Sequence, residues 1–95
     1  MAKIAIIVEY QVPQENRAAF DVQLWKNVEE TLRDEGCLRM EILQHATEAG
    51  HVVLYELWAN EMWIEKHRQR PGHDDGHKAI DRLLSGKQVN RYILE

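Results

Sequence analysis

Three histidines close together in the chain, His67, His73 and His77, are the side chains best suited to moving a proton. An imidazole, with an unperturbed pKa of about 6.5, takes up and releases a proton near neutral pH. His67 follows Trp63 by four residues, so on a helix both project from one face. His77 lies on a line with Ile80 and Leu84, spaced i, i+3, i+7, which turns it inward too. Two inward imidazoles near one another would make an acid–base pair, with His67 the first candidate base and His77 the second. His73 falls in a Pro-Gly-His-Asp-Asp-Gly stretch with the composition of a loop, from which it could touch a substrate. The plainer role for each is structural, as a bridge between helix and loop, a cap or a core residue.

Large rings and one misplaced carboxylate accompany them. Trp58 and Trp63 carry indole donors that can orient an oxygen-bearing aromatic molecule, although tryptophans more often fill a core. Glu56 interrupts the apolar run Leu54-Tyr55-Leu57, where a carboxylate must be paired or solvated by a cavity. An ion pair with Arg39 of a neighbouring strand is the simplest expectation for it. Tyr10, on the apolar face of the first strand, joins Trp58, Trp63, Glu56 and His73 as candidate substrate contacts. Trp25 reads as ordinary core beneath a long helix, and His45 and His51 as solvent-facing hairpin residues.

His73 and His77 have the i, i+4 spacing of metal ligands on one helix, with Asp74 and Asp75 between them. Gly72 and Gly76 bracket the acidic pair and argue against a continuous helix there, so no metal site is expected. There is no glycine-rich nucleotide fingerprint and no serine or cysteine nucleophile with a placed base. Cys37 reads as a small buried residue at a strand start.

The bulk properties narrow the class. Ninety-five residues suit one domain, 1–95, too small to bury much surface alone. The single cysteine cannot pair within the chain, which suggests a reducing, cytoplasmic setting and leaves dimerisation as the way to bury more apolar area. Sixteen acidic against twelve basic residues give a net charge of −4, unsuited to nucleic acid or an anionic membrane. Lys66, Arg68 and Arg70 cluster, but beside Glu65, Asp74 and Asp75, as on a solvated mixed-charge face. No run approaches the roughly 18 apolar residues of a membrane span, and the start leads directly into strand-like sequence without signal-peptide character.

The elements that must position these residues follow from periodicity. Lys3–Val12 is a strand with Ile4, Ile6, Val8, Tyr10 and Val12 on one face, ended by Pro13. From about Gln14 to Glu35, Phe20, Leu24, Val28 and Leu32 recur every four positions, widened by Ala18, Val22 and Trp25, and Gly36 closes the helix. Cys37–Ala46 and His51–Trp58 read as a hairpin around Thr47-Glu48-Ala49-Gly50. Asn60 caps a short helix that Pro71-Gly72 breaks. A second short helix, Asp75–Ser85, is closed by Gly86, and Gln88–Leu94 is a final strand. The order is that of an α+β, ferredoxin-like split βαβ domain with an antiparallel sheet. Ala5, Ile7, Val53 and Tyr55 are too apolar to leave the second sheet face in water, so two copies packed sheet to sheet are expected.

Glu35-Gly36-Cys37-Leu38-Arg39 after a long helix, Val53-Leu54-Tyr55-Glu56-Leu57-Trp58, then a helix with His67 and a Pro71-Gly72-His73 stretch, resembles the antibiotic biosynthesis monooxygenase superfamily over nearly the whole chain. That resemblance implies a homodimeric α+β barrel with a pocket in each subunit between sheet and helices. Activities known in the superfamily include cofactor-free oxygenation of anthrones and quinols, haem breakdown and destruction of a quorum signal. The haem-degrading branch has an asparagine in the first strand where Glu9 and Tyr10 stand here, which disfavours haem. The expectation is therefore a cofactor-independent monooxygenase of a small electron-rich aromatic, an anthrone, quinol or polyketide-like phenol, needing no metal or cofactor. A non-catalytic dimer that binds a small ligand, or a redox-neutral isomerase or lyase, would share the same fold and pocket.

Overall fold

The computed structural model describes residues 1–95. In chain order the elements are β1 (Ile4–Gln11), a 3₁₀ turn (Gln14–Asn16), α1 (Arg17–Thr31), β2 (Cys37–Gln44), β3 (His51–Trp58), α2 (Glu61–Arg68), α3 (His73–Asp81) and β4 (Gly86–Ile93). The strands form one sheet in the order β2-β3-β1-β4, with every neighbouring pair antiparallel. This is the ferredoxin-like α+β arrangement, with the helices on one face. None of the helices is long and apolar enough to cross a membrane.

Register decides which side chains meet the helices. Ile6 stands opposite Glu56 and Arg91, and Val8 opposite Leu54 and Val89, so alternation puts all of these on the helical side. Ile6, Val8, Tyr10, Val52, Leu54 and Trp58 pack there with Phe20, Leu24 and Val28 of α1, Ile64 of α2 and Ile80 of α3. On the opposite face Ala5 and Leu57 are buried, while Ile7, Val53 and Tyr55 are half-buried and no element of the chain covers them.

The apolar width of α1 departs from the sequence reading. Trp25, Val22 and Leu32 are 56%, 66% and 49% exposed, Ala18 is exposed, and Thr31 is buried instead of Leu32. A helix turns about 100° per residue, so a strict every-fourth pattern drifts around the cylinder. Thr31 returns to about 20° from Phe20, whereas Leu32 lies about 120° and Trp25 about 140° away.

Two turns set the second half of the site. Gly36 has φ of 87°, the left-handed value expected of it. A Cβ there would also come within 2.1 Å of Trp63 Cγ, and its carbonyl accepts from the Ala59 N–H at 2.8 Å. Gly36→Ala is therefore expected to cost about 3 kcal/mol in chemical denaturation, from left-handed strain and overpacking together. A loss below about 1 kcal/mol would show that Trp63 moves aside freely. Asn60 caps α2, its Oδ1 accepting from the Met62 N–H at 3.0 Å.

The last helix corrects two expectations. α3 begins at His73 and runs unbroken through Gly76, whose N–H donates to the Gly72 carbonyl at 2.9 Å. Glycine inside a helix costs only about 1 kcal/mol, and Asp74 and Asp75 suit the positive end of the helix dipole. The Pro71-Gly72 break is real, but Gly72, with φ of 87°, is the N-cap of α3 rather than part of a loop holding His73. Gly86 does not close the helix, which ends at Asp81, but opens β4 opposite Gln11.

Candidate active site

A cavity of about 220 Å³ lies between the helical side of β1, β3 and β4 and helices α2 and α3. Tyr10, Glu56, Trp58, His67, His73 and His77 all line it, with Ile6, Val8 and Ile64 as its apolar walls and Arg68, Lys87 and Arg91 also at its surface. Six of the seven side chains singled out from sequence thus converge. Trp63 is the exception: it lines a separate crevice with Asp34, Glu35, Lys66 and Arg70. There its ring packs against Gly36, and the Lys66 ammonium stands 4.7 Å from the ring centre. His67 borders both spaces, so the shared helix face of Trp63 and His67 holds, but only His67 reaches the cavity.

His67 is 8% exposed, and its Nδ1 lies 2.5 Å from Oδ2 of Asp34. The same carboxylate accepts from Arg70 Nη1 at 3.0 and 3.1 Å. A carboxylate already facing a guanidinium accepts, so Nδ1–H of His67 is the donor and Nε2 keeps its lone pair. Burial pushes the His67 pKa down and the Asp34 hydrogen bond opposes that, leaving the ring neutral at pH 7. Asp34 sits in the turn after α1, which Gly36 closes, and has no signal of its own in the sequence. Of the residues expected on a solvated mixed-charge face, Arg68 is exposed and pairs with Glu65 while also bordering the cavity, whereas Arg70 is half-buried and clamps Asp34.

The other two imidazoles form a continuous row of ring contacts with the first. The His73 ring meets His67 edge-on at 4.7 Å and lies tilted over His77 at 4.2 Å. Nδ1 of His73 pairs with Asp74 at 3.1 Å. His77 Nε2 is buried without a hydrogen-bond partner. Burial first, then His73, Lys87 and His67, lowers its pKa to about 4. The unfolded chain therefore takes up this proton before the native state does. Stability is intact above about pH 6.5 and is lost as pH falls from there towards 4. Allowing for partial exposure, His77 should account for about 2 kcal/mol of acid destabilisation. Urea unfolding at pH 7 and pH 4.5 should show that share missing from His77→Gln; an equal acid loss in both proteins would count against it.

Glu56 does not pair with Arg39. A bulge between Cys37 and Arg39 puts Arg39 opposite Leu57, on the other sheet face, where it binds Glu41 and stands 5.6 Å over the Tyr55 ring. Glu56 accepts instead from Trp58 Nε1 at 2.9 Å, and burial raises its pKa against that hydrogen bond and the nearby Arg91, Lys87 and Arg68. Trp58 is fully buried, 5.0 Å from the His67 ring. Tyr10 is buried edge-on to Phe20 at 5.2 Å, and burial drives its hydroxyl pKa up, with Glu56 and Asp81 adding to it, so it stays protonated. Burial, with Glu56 and Asp34, holds the Cys37 thiol at a pKa of about 11, which makes it a poor nucleophile. His51 is not solvent-facing: it bridges Glu9 at 3.0 Å and Glu48 at 3.2 Å, stacked on the exposed His45.

A neutral imidazole oriented by a carboxylate, at the wall of a ring-lined cavity, is equipment for proton abstraction. Comparison with known proteins bears on what it serves. Residues 3–79 match the sequence model of the family described as antibiotic biosynthesis monooxygenase. The chain belongs to that family. No curated protein matches it. Among solved structures it resembles a conserved protein from Methanosarcina mazei Go1, with TM-score 0.93 and 22% identity over 100% of this chain and 95% of that one. A putative antibiotic biosynthesis monooxygenase from Deinococcus radiodurans gives TM-score 0.89 and 19% identity, over 97% and 92% of the two chains. A point mutant of SnoaB, a cofactor-independent oxygenase from Streptomyces nogalater, gives TM-score 0.91 and 14% identity, over 100% and 95%. At these identities the family members share the fold, and their chemistry does not transfer with it.

Proposed function

We propose that this protein is a cofactor-independent monooxygenase of a small electron-rich aromatic such as an anthrone or a quinol, acting as a homodimer in the cytoplasm. The observation that carries this reading is the Asp34–His67 pair beside a cavity walled by Tyr10, Trp58 and Glu56. For an anthrone, Nε2 of His67 takes a proton from the ring CH₂, and Asp34 steadies the imidazolium that forms. Arg68, Lys87 and Arg91 stand around the cavity, each paired with a carboxylate (Glu65, Asp81 and Glu61), and would have to turn part of that charge towards the delocalised anion left behind to favour it. That anion passes an electron to dioxygen, and the two radicals join as a peroxide bonded to the former CH₂ carbon. The peroxide recovers the proton from His67, then loses water as the C=O forms. One oxygen atom enters the product, the other leaves as water, and the substrate supplies all four electrons. His77, whose pKa is about 4, is the weaker base of the two.

The uncovered apolar face formed by Ala5, Ile7, Val53, Tyr55 and Leu57 supports the dimer. Light scattering after size exclusion is expected to give twice the chain mass, and a monomer at micromolar concentration would refute it. The reaction is tested by oxygen uptake of metal-stripped protein against a panel of anthrones, quinols and catechols. Uptake without any added cofactor supports the oxygenase. Absence of uptake with saturable quenching of tryptophan fluorescence would instead make the protein a binder or a redox-neutral enzyme.

A further inference from the structure

We propose that His67, His73 and His77 form a binding site for one borderline divalent transition-metal ion, with Zn(II) as the reference ligand. The three side chains each bring one ligand atom within 4.8 Å of the other two. A metal–nitrogen distance of about 2.0–2.1 Å would draw the ligand atoms together by rotation of the three adjoining rings. Two features mark this as more than histidine crowding. Asp34 holds Nδ1 of His67 and Asp74 holds Nδ1 of His73, which leaves Nε2 of each ring for a ligand and reproduces the carboxylate–histidine–metal pattern. His77 Nε2 is buried with no partner, an unmet acceptor or donor that an ion would satisfy.

The donor set selects the ion. Three imidazoles without a thiolate suit Zn(II), Co(II), Ni(II) or Cu(II), and are poor ligands for Mg(II) and Ca(II), which take oxygen. The continuity of α3 through Gly76 is what places His73 and His77 one turn apart on a single helix. Three protein ligands leave a coordination position open for water or a cavity-bound molecule. This inference goes beyond the oxygenase reading and is separable from it. A metal on Nε2 of His67 occupies the lone pair that the base requires, so redox-inert Zn(II) should inhibit the proton-transfer chemistry.

Equilibrium dialysis of the full, metal-stripped chain against micromolar Zn(II), without substrate, provides the test. One zinc per chain is expected. His73→Gln and His77→Gln should each weaken binding at least about tenfold, and Asp34→Asn by about tenfold as an outer partner. His45, Glu48 and His51 form a second group of possible ligands near the surface, so His45→Ala and His51→Ala serve as controls and should leave binding intact. Absence of stoichiometric zinc overturns the proposal, as does zinc that survives both α3 variants but is lost in the controls. Imidazole NMR of the wild-type protein reads the site even if a variant fails to fold. Zinc-induced shifts confined to His67, His73 and His77 support it, and shifts confined to His45 and His51 overturn it. Where oxygen uptake is detected, full zinc occupancy should lower it at least about tenfold; unchanged uptake would place the ion elsewhere.

Discussion

Replacing His67 with alanine is expected to lower the turnover of oxygen uptake by about 10²–10⁴-fold, the usual loss when a positioned acid–base group is removed. His67 is chosen over His77 on geometry. Its Nδ1 is tied to Asp34, so its tautomer is set, whereas His77 has no such partner among its contacts. Asp34→Asn should reduce turnover by about 10²-fold through loss of that tautomer control while leaving substrate affinity near wild type. A merely structural His67 would behave differently: both variants would melt at lower temperature, and turnover per folded molecule would be unchanged. Added imidazole should restore part of the activity of His67→Ala and none to Asp34→Asn. In the wild type, activity should rise with pH through a midpoint below the ordinary histidine value, because burial depresses the His67 pKa and the neutral ring is the active form. Undiminished uptake in His67→Ala would keep an oxygenase but remove this residue as its base.

Trp58→Ala is expected to cost about 3–5 kcal/mol, the range for deleting a large, fully buried ring. Trp58 has no exposed surface and packs between the helical side of the sheet and His67. The substitution also removes the indole N–H that serves Glu56, leaving a buried carboxylate short of a partner. For a chain of this size, thermal melting at fixed protein concentration should fall by more than about 12 °C. Trp58→Phe keeps most of the packing but not the donor, and should lose less. Its remaining deficit should grow as pH rises, since Glu56 is harder to ionise once the N–H is gone. A melting shift of only a few degrees in Trp58→Ala would mean that the cavity tolerates enlargement and that Trp58 is a lining residue rather than a core anchor.

Much of the scaffold is legible in the chain. The bounds of β3, the Asn60 cap, the left-handed Gly36 and the order of strands and helices follow from alternation, capping chemistry and glycine's freedom at positive φ. These rules act over a few residues, so sequence carries them directly. The same locality explains where the reading fails along α1 and α3. An every-fourth count puts Leu32 in the core because it ignores the true helical period, the widened stripe wrongly adds Trp25, and two glycines hide a helix that its acidic first turn and Ile80 sustain.

The chemical pairings belong to the tertiary structure. Asp34 meets His67 across 33 residues and Arg70 across 36, and nothing within either segment announces the other. Glu56 is recognisable as a carboxylate needing a partner, but a one-residue bulge in β2 turns Arg39 away and gives that place to Trp58. Residue types and helical spacing determined that histidines and rings would face one side of the sheet. Which imidazole gained a carboxylate, which was left with a buried unpaired nitrogen, and which tryptophan reached the cavity were decided by strand register and helix placement. Those depend on contacts between distant segments, which local periodicity does not encode.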